Sequence, residues 1–230
     1  MRELLFVITI ACATTAQAFN IWDLISPKTP KFDEIKDSNQ KKNAFFDYLL
    51  PMVKEENNKI KLLRSLIKNN QFDDTQIKKL AKKYRIKSVN KISLLNAVDT
   101  IPASLVLAQA AIESNWGNSR FSKYYNNYFG LWCFKLGCGV VPKERIKGAK
   151  HEVMSFSSVN KSIKYYLLNL NRNHTYRLLR QIRAYKRKHN LKLTGASLSE
   201  GLEKYSAIGY EYIELVQSII RQNKLSRFDD

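Results

Sequence analysis

One segment constrains the fold more than any other. Residues 101–117 read Ile-Pro-Ala-Ser-Leu-Val-Leu-Ala-Gln-Ala-Ala-Ile-Glu-Ser-Asn-Trp-Gly, and from Ala103 to Ile112 nearly every residue is apolar. Pro102 suits the first turn of a helix, and Gly117 lies just past a natural stop. A short helix that is apolar almost all round has no face for water, so other elements must enclose it. The pattern therefore predicts a helical body built around residues 103–113. It also puts Glu113 in an awkward place, with its carboxyl on the last turn beside a core. Burial raises a carboxyl pKa, and the negative end of the helix dipole raises it further. A carboxylic acid kept protonated near neutrality is what a general acid needs. The alternative is a helix-end glutamate that simply points into water.

The N-terminus reads as a secretory signal over residues 1–18. Arg2 supplies the charge, Leu4 to Ala13 a short apolar core, and Ala16-Gln17-Ala18 a small-residue cleavage site. A lipoprotein reading would modify Cys12, but Thr9 fits poorly three residues before it. The expected product is periplasmic or secreted, and no later segment is long and apolar enough to cross a bilayer. The chain has 39 basic and 20 acidic residues, a net charge of +19. Losing Arg2 and Glu3 with the signal leaves that balance unchanged. So basic an exported chain points to an anionic partner such as envelope polymer or membrane surface. Of the three cysteines, Cys133 and Cys138 remain after cleavage. Five residues apart in an oxidising compartment, they are expected to pair as a disulfide. A metal reading lacks nearby ligands at a zinc spacing, and the three histidines are scattered. No metal and no cofactor is expected.

Residues 19–39 are polar, with Pro27 and Pro30, and read as an extended leader. Residues 40–100 read as an N-terminal helical extension. Its apolar periods run from Lys41 to Leu66, Thr75 to Tyr84 and Val89 to Val98. Pro51 falls inside the first and is expected to kink or break it. Residues 101–230 form the remaining domain. Gly139-Val-Val and Glu152-Val-Met-Ser-Phe predict a small hairpin lobe. A helical pattern then starts at Ser157/Ser158 and continues to about Lys188, followed by helices over Ser199 to Tyr205 and Tyr210 to Asn223. The strongly basic stretch Arg172 to Lys192 keeps its apolar residues at helical spacing. It reads as a solvated amphipathic face rather than a nucleic-acid surface, and export argues further against nucleic acid.

Gln109 lies one turn before Glu113 and shares its helix face. Asn126-Asn-Tyr-Phe-Gly-Leu-Trp132 follows closely. Amides suit sugar hydroxyls, and aromatic faces suit the flat CH faces of sugar rings. Gln109, Asn127, Tyr128 and Trp132 are therefore candidate glycan-binding residues, whereas Phe129 reads as core.

Ala108-Gln-Ala-Ala-Ile-Glu-Ser-Asn-Trp-Gly117 followed by Asn127-Tyr-Phe-Gly130 resembles the signature of glycoside hydrolase family 73, endo-β-N-acetylglucosaminidases that act on peptidoglycan. Gly130-Leu-Trp-Cys-Phe, Gly137-Cys-Gly, His151-Glu-Val and Tyr205-Ser-Ala-Ile-Gly-Tyr210 are similar to its Bax-type branch. The likeness runs from about Gln40 to Leu225. It implies an α+β, mainly α fold: a lysozyme-like helical domain with a small β-hairpin lobe, the glycan lying between them. By position, Glu113 matches the family's catalytic acid, while Tyr205 and Tyr210 match cleft tyrosines. The second carboxylate is open. Glu144 fits the family's offset before Phe156, Glu152 stands in a strand-like segment, and the substrate's own N-acetyl group can replace both. The resemblance implies cleavage of peptidoglycan glycan strands after N-acetylglucosamine; the sequence leaves the oligomeric state open, with a monomer expected. Lytic transglycosylases use one helix-end glutamate on a similar fold and remain an alternative, as does a non-catalytic wall-binding module.

Overall fold

The computed structural model describes residues 28–143, 145 and 148–229. The signal-like segment, Cys12 and Glu144 lie outside the described residues. Helix α1 (Ser38–Lys68) begins where the Asp37 side chain accepts the Gln40 amide at 2.7 Å. It runs on through Pro51, contrary to the break expected there. Proline frees the carbonyl four residues back, here that of Asp47. Both residues are exposed, so water can satisfy that group, while Leu49, Met52 and Val53 are buried. Helices α2 (Asp74–Tyr84) and α3 (Lys91–Ala97) each start with a capping box, Asp73/Gln76 and Asn90/Ser93. Together with the end of α1 they close a satellite core of Ile67, Leu80, Tyr84, Leu94, Ala97 and Val98.

Helix α4 (Ala103–Glu113) is buried at every residue from Ala103 to Ala111, as its composition demands. Its enclosure includes α1 and elements from the C-terminal third of the chain. The first half of α1 contributes Phe45, Phe46, Leu49, Met52 and Val53 to the same core as α4. That core also takes in the end of the leader. Phe32 is buried, its ring 5.5 Å from that of Phe45. A Cβ on Gly117 would lie 2.3 Å from the Phe32 ring, and Trp116 packs edge-on against Phe45 and Phe46. The Trp-Gly pair after Glu113 is thus a docking point for the N-terminal region.

A short helix absent from the sequence reading, α5 (Arg120–Tyr125), starts at Ser119, whose hydroxyl accepts the Ser122 amide. The lobe has three strands rather than a simple hairpin: β1 (Trp132–Cys133), β2 (Gly139–Val140) and β3 (Glu152–Met154), in antiparallel order β1-β3-β2. Trp132 pairs with Val153, and Gly139 with Met154. Cys133 and Cys138 form a disulfide that ties the end of β1 to the approach to β2.

Helix α6 (Val159–Arg172) is capped by Ser158. The expected continuous helix to Lys188 is interrupted. Asn173 leaves helical geometry and its side chain caps a 3-10 turn, His174–Tyr176, before α7 (Arg177–Lys188) resumes. The segment expected as a helix over Ser199 to Tyr205 is instead α8 (Gly195–Ser199) and a 3-10 turn, Glu200–Leu202. Helix α9 (Tyr210–Gln222) and a last 3-10 turn, Leu225–Phe228, complete the described chain. Both of these and α8 pack on α4.

The basic helix α7 is not solvated all along its charged residues. Arg183 is buried, and its guanidinium donates to the carbonyls of Asn96, Asp99 and Thr100 and to Asn171 Oδ1. Its Nε lies 3.7 Å from the Asp99 carboxylate, which Arg187 also meets at 3.1 Å and Arg64 at 3.4 Å. Removing such a cation from water is costly unless its donors are matched, and here they are. The cluster fixes the chain just before α4.

Candidate active site

Glu113 is the last residue of α4, half-buried, at the floor of a cleft of about 730 Å³. Phe129, Gly130 and Leu131 lie beside it. The lobe supplies Trp132, Cys133 and Phe134, α6 supplies Tyr165, Asn169 and Arg172, and Tyr205 closes another side. Burial raises the Glu113 pKa, opposed by one hydrogen bond from Tyr212 at 2.7 Å. Among the described residues no cation forms an ion pair with it. The direction expected from the helix therefore holds, with burial as its cause.

Behind Glu113 the donors run in one direction. Tyr166 donates to Gln109 Oε1, Gln109 Nε2 donates to the Tyr212 hydroxyl at 2.9 Å, and Tyr212 donates to Glu113 Oε1. Burial, and then the nearby Glu113 charge, push the Tyr212 hydroxyl pKa well up, so it remains a donor throughout neutral pH. The Tyr205 ring stacks on that of Tyr212 with centroids 5.4 Å apart, and its hydroxyl donates to the Phe129 carbonyl at 2.8 Å. Phe129 in turn stacks on Tyr166 at 4.0 Å. Among the described residues the carboxyl is hydrogen-bonded by one neutral group, which this network positions.

Gly130 is what opens this carboxyl to the cleft. It has φ +59°, and a Cβ there would fall 2.9 Å from Glu113 Oε2. A side chain at this position would press on the acid, and the backbone conformation itself favours glycine.

Several expected ligands of the glycan prove to be scaffold. Gln109 is buried and acts on Glu113 through Tyr212. Asn127 is also buried: its amide donates to the Leu131 and Met154 carbonyls, and its oxygen accepts the Phe129 and Leu131 amides. It pins the turn that presents Gly130 and has no group left for a sugar. Tyr128 is fully buried, 6.1 Å from the Phe45 ring, and faces the core rather than the cleft. Both carboxylate oxygens of Glu152 accept amides, from Gly137 at 3.0 Å and Gly139 at 2.8 Å. These bonds lower its pKa and make it the internal brace of the disulfide loop. Although Cys133, Cys138 and Glu152 cluster closely, the two sulfurs are bonded to each other, so the group is no metal site. Tyr210 is 70% exposed and does not line the cleft. Trp132 and Tyr205 do line it. One face of Trp132 stacks on His151 at 4.0 Å, which fixes the ring at the cleft edge.

Tyr212, Tyr166 and Gly130 were not singled out from the sequence. A signal for Tyr212 exists, since it falls on the buried stripe Tyr212, Ile213, Val216 and Ile220 of α9. A buried tyrosine hydroxyl usually has a partner.

Residues 89–225 match the family model described as mannosyl-glycoprotein endo-beta-N-acetylglucosaminidase. The chain is also 30% identical over 212 residues to protein Bax of Escherichia coli strain K12, covering 86% of this chain and 76% of that one. This chain belongs to the glucosaminidase family. Within it, the likeness to protein Bax places the glucosaminidase in the Bax-type branch, and it is a glycoside hydrolase. Its fold is similar to that of the catalytic domain of the autolysin Auto from Listeria monocytogenes, with a TM-score of 0.50 at 18% identity, over 86% of this chain and 92% of that one.

Proposed function

We propose that this glucosaminidase hydrolyses the glycan strands of peptidoglycan after N-acetylglucosamine, in the cell envelope or outside it, with Glu113 as proton donor. One observation carries the reading: a half-buried carboxyl, raised in pKa and hydrogen-bonded among the described residues only by a neutral hydroxyl, opens past Gly130 into a cleft with aromatic walls. Held protonated, Glu113 gives its proton to the glycosidic oxygen as the bond to the leaving sugar lengthens, and Tyr212 steadies the carboxylate left behind. Trp132 and Phe134 offer ring faces to the sugars, while Tyr205 shapes the wall beside the acid.

The water-activating or nucleophilic group is assigned to Glu144. Glu113 is the only carboxyl among the described residues lining the cleft, because Glu152 is committed to backbone amides. The sequence neighbour of Glu144, Arg145, donates to the carbonyl of His151, whose ring packs on Trp132. Arg145, next to Glu144 in sequence, is thereby tied to the cleft edge, which supports the assignment. Glu144→Gln should lower kcat about a hundredfold or more. If the N-acetyl group does the work instead, Glu144→Gln stays active and an N-acetylglucosamine thiazoline inhibits the enzyme.

Digestion of purified peptidoglycan by the chain and by Glu113→Gln, with mass spectrometry of the new ends, tests the reaction. Reducing N-acetylglucosamine ends that vanish with the variant are expected. Anhydro-muramic ends would make the protein a lytic transglycosylase, and no new ends with either protein would leave only binding.

A further inference from the structure

Among the described residues, two guanidinium groups line the cleft, Arg85 and Arg172, against the one carboxyl of Glu113. Among the described residues neither arginine is in an ion pair, whereas Arg64, Arg183 and Arg187 all converge on Asp99. Arg172 stands on the last turn of α6 with its guanidinium carbon 5.4 Å over the ring of Tyr165, another wall residue. That contact holds a long side chain against the cleft wall. Arg85 ends α2 with φ 56°, a conformation that glycine or asparagine adopts more cheaply. It also precedes the family-matched residues 89–225, so the helical extension reaches into the cleft with a charge from outside that segment.

An unpaired guanidinium pair in a groove for a polymer calls for an anion on that polymer. Uncharged N-acetylglucosamine units offer none. The peptide-bearing sugars of peptidoglycan do, through the carboxylates of their stems, and arginine matches a carboxylate with two parallel N–H donors. We propose that Arg85 and Arg172 form a carboxylate subsite that grips the acidic substituents of alternate sugars as the strand lies in the cleft. This rests on the reading of the substrate as peptidoglycan. The two arginines are specificity residues: they favour strands that carry their acidic groups over neutral ones and set which sugar of the alternating pair lies beside Glu113.

Binding tests the subsite without requiring turnover. The Glu113→Gln chain is titrated against soluble fluorescent glycan strands in three forms: stems intact, stem carboxylates capped as neutral amides, and stems removed by an amidase to leave only the lactyl carboxylate. Capping should raise Kd about tenfold, and by under about twofold once Arg85→Gln and Arg172→Gln are added. Stripped strands that bind as weakly as capped ones assign the subsite to the stem alone, and stripped strands that bind as tightly as intact ones show that it also accepts the lactyl carboxylate which the amidase frees. Equal binding of intact and capped strands, or a preference that survives in the double variant, overturns the proposal. An unchanged Tm confirms that the double variant is folded. Hydrolysis of intact strands by the chain with Glu113 in place is scored separately. Absence of new ends there would refute the proposed reaction, and the binding comparison would still decide the subsite.

Discussion

A carboxyl stands at either end of α4, Asp99 shortly before it and Glu113 on its last turn, and the fold shifts the two in opposite directions. Before the helix, burial pushes the pKa of Asp99 up, but Arg183, Arg187 and Arg64 outweigh it and hold the group below the ordinary range. On the last turn of the helix, burial pushes Glu113 up and the Tyr212 hydroxyl works against it. Similar desolvation thus has opposite outcomes because the neighbours differ in charge. The Asp99 cluster is matched so completely that it can only be structural. Glu113 has one neutral hydrogen-bond partner among the described residues and a side open to the cleft, as the proposed proton donor requires. Arg183 is likewise pushed down by burial, to about 10, with Asp99 working against that shift, and it stays cationic at neutral pH. Stability and reactivity are separated by the length of one helix.

The contrast can be broken at either end. The largest effect is expected for Glu113→Gln, which keeps the shape and the Tyr212 contact but removes the proton. It should cost about a thousandfold in kcat with little loss of strand binding. Next comes Asp99→Asn, which strands three guanidinium groups and should cost about 3 kcal/mol of stability in urea titrations while leaving kcat per folded molecule close to normal. Because the Asp99 pKa is depressed in the fold, its contribution is present above the ordinary aspartate range and fades as pH falls through the lower folded value. The variant and the parent should therefore converge in acid. A smaller effect is expected for Tyr212→Phe, about tenfold in kcat. That hydrogen bond favours the ionised carboxylate, so its loss should raise the Glu113 pKa further and move the alkaline limb of the rate profile to higher pH.

The two ends of α4 were not equally legible in the sequence. The run from Ala103 to Ile112 identified a buried helix, and a carboxyl on its last turn follows from spacing alone. The same spacing is silent about Asp99, which sits in an unpatterned connection, and Arg183 falls among the exposed cations of α7, with nothing local to mark it as buried. Around Glu113, nearness in sequence misled. Asn127 and Tyr128 belong to a sharp turn whose inner side is core, while Gly130 of that turn lies against the acid. Tyr210 and Tyr212 both lie on the first turn of α9, yet only the second lies on its apolar stripe. The disulfide was legible because two cysteines so close in sequence had one obvious partner each. Tertiary partners such as Tyr166 with Gln109, 57 residues apart, have no local signature.

The most direct test of the contrast is a side-chain carboxyl titration by NMR on the chain labelled at aspartate and glutamate, with Glu113→Gln and Asp99→Asn used to assign the two signals. The account predicts that Glu113 titrates above the ordinary glutamate value of about 4.3 while Asp99 titrates below the ordinary aspartate value of about 3.9. A Glu113 that titrates at or below its ordinary value would contradict the account, since such a group would hold no proton to give.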